Sequence, residues 1–107
     1  IYYNLGWLYT RKEEWDWAIE CFQRALDYME QVGDNSEMAR THRVLAECYQ
    51  TQGDTDRAAS HIARAYLIFT QVGAAPEAER ASRFLVEILG SVDEAKSYLI
   101  QLANKSE

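Results

Sequence analysis

Few residues in this sequence could do chemistry. Two histidines, His42 and His61, two cysteines, Cys21 and Cys48, and seventeen scattered carboxylates are its main supply of ligands, bases and nucleophiles. A Gly-rich phosphate loop, a nucleophile elbow and a paired metal motif each need fixed spacings to bring their donors together, and the sequence has none of them. The carboxylates fall on solvated faces and helix starts, where they complement the helix dipole. Both cysteines lie among apolar neighbours, where a thiol behaves as a small hydrophobe. A disulfide needs Cα atoms within about 7 Å, and nothing in the spacing indicates that. The reading is a cytoplasmic chain with free thiols, no cofactor, no metal and no enzymatic activity. Arginine offers chemistry of another kind. Arg40 and Arg43 return forty residues later as Arg80 and Arg83, so four of the eleven basic residues share two matching positions. Guanidinium groups in such an array suit carboxylates.

Helices must position these groups. From Tyr2 to Ala25 the apolar residues Tyr2, Leu5, Gly6 and Tyr9 mark one helical face, and Ala18, Phe22 and Ala25 mark the next. A polar break from Thr10 to Asp16 separates them. The stretch reads as a helical hairpin in which Gly6 and Ala18 allow close backbone approach. Forty residues on, Leu5, Gly6 and Tyr9 become Leu45, Ala46 and Tyr49, while Ala18, Phe22 and Ala25 become Ala58, Ile62 and Ala65. Gln31-Val32-Gly33 returns as Gln71-Val72-Gly73 at the same offset. His61 is then the counterpart of Cys21, with roughly 10 Å between them in a stack of packed helices, too far to share a metal ion. His42 takes the position of Tyr2, an inter-helix packing site. Helices are expected from Ile1 to about Lys12, Trp15 to about Val32, Asp34 or Asn35 to about Gln52, Thr55 to about Val72, Pro76 to Gly90, and Ser91 to about Asn104.

The spacing resembles the tetratricopeptide repeat, with its W-x2-L-G-x2-Y and A-x3-F pattern. Tyr2 stands where the family has Trp, and the period is 40 rather than about 34 residues. This longer form is similar to the repeats of kinesin light chains, Pins-type spindle scaffolds and bacterial MalT-type regulators. The resemblance implies an all-α fold, a right-handed superhelix of antiparallel helix hairpins with about six helices. It also implies a concave groove lined by the first helix of each hairpin. That face carries Tyr3, Asn4, Trp7 and Arg11 in the first repeat, Arg40, Arg43, Val44 and Glu47 in the second, and Arg80, Arg83, Phe84 and Glu87 in the third. An acidic peptide is the implied ligand, with Tyr3, Trp7 and Phe84 as apolar anchors. The competing reading makes Arg43 with Glu47 and Arg83 with Glu87 simple i,i+4 pairs, and leaves Arg40 and Arg80 without such a partner. Asn4 and Arg40 match two positions of a Lys/Asn/Arg carboxylate clamp known in the family, but Val44 stands where a base is needed.

The chain is expected to form one domain with repeats at about 1–33, 34–73 and 74–107. The third is degenerate, with Val86 in the small-residue position and a shortened turn before Ala95, and its polar tail suits a cap. Ile1 falls inside a helical pattern, so the N-terminal edge reads as cut from a longer protein, with self-association through bared Tyr2, Leu5 and Trp17. A net charge of −6 argues against nucleic acid, and no apolar run approaches the roughly 20 residues that span a bilayer. Two functions remain open: a scaffold that binds a peptide in its groove, and a spacer or regulatory segment that binds nothing itself.

Overall fold

A computed structural model describes residues 1–105, and six helices run in order through it. They are α1 (Tyr2–Arg11), α2 (Trp15–Val32), α3 (Asn35–Thr51), α4 (Thr55–Gln71), α5 (Ala75–Leu89) and α6 (Val92–Lys105). Of the polar tail, Ser106 and Glu107 lie outside the described residues. Each boundary has a local cause. Asp34 and Asp54 accept from the backbone N–H of Glu37 and Arg57 at the starts of α3 and α4, which satisfies donors that a helix N-terminus otherwise leaves free. Pro76 sits in the first turn of α5, Ser91 caps the N–H of Glu94 in α6, and Gly33 and Gly90 close α2 and α5.

The hairpins repeat in backbone detail. The turn after α1 is tied by Glu14 N–H to the Tyr9 carbonyl at 3.0 Å, and the turn after α3 by Asp54 N–H to Tyr49 at 2.9 Å. Both turns need one left-handed residue. The second uses Gly53 (φ 82°), whereas the first forces Glu13, its counterpart forty residues earlier, to φ 58°. A side chain there costs about 1 kcal/mol or more.

Packing is between neighbours. One core cluster joins Ala18, Phe22 and Leu26 of α2 to Val44, Leu45, Cys48 and Tyr49 of α3. A second joins Ala39 and Ala46 of α3 to Ile62, Ala63 and Phe69 of α4, and on to Ala81, Leu85 and Ala95. The layering is that of a solenoid, in which no element contacts the whole. The helices α1 and α2 approach closely at Gly6. A Cβ placed on Gly6 would stand 2.6 Å from the ring of Phe22, which is itself wholly buried. In the next hairpin the small partner is Ala46 and the large one Ile62, both in one cluster. The pairs exchange a methyl group for a smaller opposite side chain.

Trp17 is 58% exposed, yet it is not idle, because its ring stacks on Tyr9 with centroids 6.3 Å apart.

Two stability changes follow from this geometry. Gly6→Ala should lower stability by about 1–3 kcal/mol through overpacking, despite Ala being the better helix former. Adding Phe22→Ile, which recreates the Ala46/Ile62 pair, should recover part of the loss. Thermal melts of the single and double variants check this, and an unchanged Gly6→Ala melt would contradict the close contact. Separately, Glu13→Gly should raise stability by about 1 kcal/mol by relieving the left-handed turn. Denaturant titration measures it, and a loss on substitution would count against the strain.

Candidate functional site: a charged cleft between α3 and α5

The first helices of the second and third hairpins, α3 and α5, each send two arginines at three-residue spacing to one side, and stacking brings these helices together. Arg40, Arg43 and Glu47 of α3 face Arg80, Arg83, Phe84 and Glu87 of α5 across an open cleft of about 780 Å³. Glu77 joins the rim, and Ile62, Phe69 and Ala81 form a buried apolar floor. Seven of the sequence-expected groove residues thus share one site. The other five do not. Trp7, Arg11 and Val44 line a neighbouring cavity of about 470 Å³ with Trp15 and Cys48, and Glu47 is common to both. Val44 is 1% exposed, so it belongs to the core between α2 and α3 and not to a binding surface. Tyr3 is a packing residue, edge-on to Phe22 at 5.6 Å and to Trp7 at 6.2 Å. Asn4 lies on the outer side of α1 with Ile1, Leu5 and Leu8, apart from Arg40, so the two clamp-like positions do not converge.

The charges in the cleft are more balanced than arginine spacing suggested. Arg43 pairs with Glu47 at 2.9 Å, as the i,i+4 rule expects. Arg40 does have a partner: Glu37, one turn earlier, at 2.7 Å. Arg83 pairs with Glu79 at 2.6 Å and not with Glu87. Glutamate before arginine is the more favourable order on a helix, and that order, readable in the sequence, decides the choice. Arg80 has no ion pair among the described residues. All three pairs are exposed and so contribute only about 0–1 kcal/mol each. An incoming carboxylate can therefore exchange with the resident glutamates.

Sequence reasoning treated the two histidines separately and missed that they meet. His42 on α3 and His61 on α4 bring their Nδ1 atoms to 2.9 Å, with the Tyr49 ring stacked on His61 at 5.5 Å. The sequence puts His42 at an inter-helix packing site, but spacing along the helix does not say which side chain it meets there. One Nδ1 must donate and the other accept, so the rings hold opposite tautomers and at most one can be charged. Burial, then the neighbouring charge, holds both well below the usual histidine range, His42 at about 3 and His61 at about 4. For His42 the neighbouring charges are His61 and Arg64, and for His61 they are Arg64 and Arg57. Cys21 and Cys48 are free and buried. Burial pushes the Cys48 thiol up to about 11, with Glu47 adding to it, and raises Cys21 as well. Neither forms a thiolate readily near neutrality.

The family model of the tetratricopeptide repeat matches residues 1–71. The chain therefore belongs to the tetratricopeptide repeat family, whose repeats generally mediate protein–protein interaction. No curated protein matches the sequence. Among the described residues, no helix is long and apolar enough to cross a membrane.

The histidine pair makes stability depend on pH. Both rings are neutral when folded and take up protons on unfolding, because a free histidine titrates near 6.5. Their contribution is complete above about pH 6.5 and is lost as pH falls toward the folded values of about 3 and 4. A His42→Leu, His61→Phe double variant should move the acid unfolding midpoint to lower pH, followed by circular dichroism. An unmoved midpoint would mean the pair does not titrate with unfolding.

Proposed function

We propose that the α3–α5 cleft holds an extended, acidic segment of a protein partner, with an apolar side chain over its floor. The observation that carries this reading is the convergence of four arginines above Ile62, Phe69 and Ala81. Successive arginine pairs on stacked helices lie roughly 10 Å apart, about the reach of three residues of extended chain at ~3.3 Å each. Carboxylates three residues apart in the ligand can therefore meet Arg40 or Arg43 and then Arg80 or Arg83. Phe84, partly buried at the cleft wall, supplies the apolar anchor, a role that Trp7 does not share because it lines the adjacent cavity. Arg80 makes the first contact, since it gives up no resident ion pair.

The internal pairing of Arg40, Arg43 and Arg83 favours a second reading, in which the face is merely solvated and the repeats serve as a spacer within a larger assembly. The two readings part on a titration of glutamate-rich peptides. Binding no tighter than about micromolar, weakening steeply with salt, is expected from exposed pairs. Arg80→Ala should weaken it by up to about fivefold, the equivalent of ~1 kcal/mol, and an Arg40→Glu, Arg80→Glu variant should abolish it. Glu79→Ala should strengthen it by releasing Arg83. Equal binding by all variants, or binding indifferent to salt, leaves the spacer reading.

A further inference from the structure

The cleft between α3 and α5 repeats acids as well as bases. Arg40, Arg43 and Glu47 of α3 return forty residues later as Arg80, Arg83 and Glu87 of α5, and all six line it. With Glu77 the lining charges are four arginines against three glutamates, so the cleft is far from uniformly basic. A difference one turn earlier on each helix frees one of these charges. Four residues before Arg43 stands Ala39, wholly buried, and Arg43 turns forward to Glu47 at 2.9 Å. Four residues before Arg83 stands Glu79, which takes the guanidinium at 2.6 Å. Glu87 is left exposed, with no ion pair among the described residues. It lies in the last turn of α5, which holds no basic residue, and the carbonyl end of a helix carries a partial negative charge that favours cations. Glu77 is placed the other way, in the first turn of α5, where the dipole favours a carboxylate. Of the three lining glutamates, only Glu87 lacks a local counter-charge.

We infer that the segment held in this cleft is of mixed charge, with carboxylates over the arginines and one lysine or arginine against Glu87. The inference rests on the cleft being the ligand site, as proposed above, and adds the charge that the ligand carries at the C-terminal end of α5. Arg83 and Glu87 stand four residues apart, about 6 Å along the helix axis at about 1.5 Å per residue. Two residues of extended chain span about the same length at ~3.3 Å each, with their side chains on one face. An acidic residue on Arg83 is therefore followed or preceded, two positions away, by the basic residue on Glu87. A wholly acidic segment would bring like charge to Glu87 instead. That carboxylate then acts as a repulsive element, which selects among acidic segments as much as the arginines attract them.

Three labelled peptides of equal length test this by fluorescence anisotropy. The reference carries two glutamates three residues apart, with a further glutamate two positions outside each. The other two replace one outer glutamate by lysine, before or after the central pair. One of the lysine peptides should bind the wild-type chain up to about fivefold more tightly than the reference, the scale of an exposed ion pair. Glu87→Gln should erase that preference, and Glu87→Lys should reverse it. Both variants should melt no lower than wild type, since taking a carboxylate out of the last turn of α5 suits the helix dipole, and the melt verifies that they are folded. A reference peptide that binds wild type as well as both lysine peptides do, or a preference that survives Glu87→Lys, overturns the inference and leaves the acidic-segment reading of the cleft standing. Binding by none of the three peptides removes that reading and the inference with it.

Discussion

The structure depends on how closely two helices of one hairpin can approach. At the α1–α2 contact the first helix has no side chain at all, and the ring of Phe22 occupies the space that a Cβ at Gly6 would need. At the α3–α4 contact Ala46 and Ile62 take the same positions in a shared cluster. Because interiors are packed to crystal-like density, these small-against-large pairs set how each hairpin closes. The third hairpin replaces the small residue with Val86, which is only partly buried, and α6 buries a single residue, Ala95. Loss of the small residue goes with looser docking of the last helix.

Regular stacking has a consequence for charge. Residues forty apart land on equivalent positions of adjacent helices, so a pair of arginines in one repeat becomes a facing array when the next repeat carries it too. Arg40 and Arg43 meet Arg80 and Arg83 for that reason. The same periodicity places Ile62 and Phe69 of α4 beneath them, giving a charged rim over an apolar floor. Intrahelical glutamates partly neutralise the array and, being exposed, hold it only weakly.

Most of the fold was legible in the sequence because it is written in local periodicity. The helix pattern, the forty-residue offset and the capping residues Asp34 and Ser91 all act over short range, and the structure has each. The arginine cleft was legible for the same reason, as the product of two matching helices. The misses are three-dimensional. Val44 and Tyr3 were placed on the groove by spacing, but the rotation of α1 and α3 about their axes turns them into the core contact with Phe22. Trp7 follows α1 into a neighbouring cavity that shares only Glu47 with the α3–α5 cleft. The meeting of His42 with His61 depends on side-chain direction across a hairpin, which spacing along each helix does not specify. The partners of Arg40 and Arg83 differ from these, because Glu37 and Glu79 stand at readable spacings one turn before each arginine.

The proposed ligand-binding face is the one shared by α3 and α5. The most direct measurement is backbone amide chemical-shift mapping of the whole chain while a glutamate-rich peptide is added. Perturbations should concentrate at Arg40, Arg43, Arg80, Arg83 and Phe84, and leave Tyr28 of α2 and Ile100 of α6 unmoved. Shifts centred on α2 or α6, or spread evenly over the surface, would contradict it.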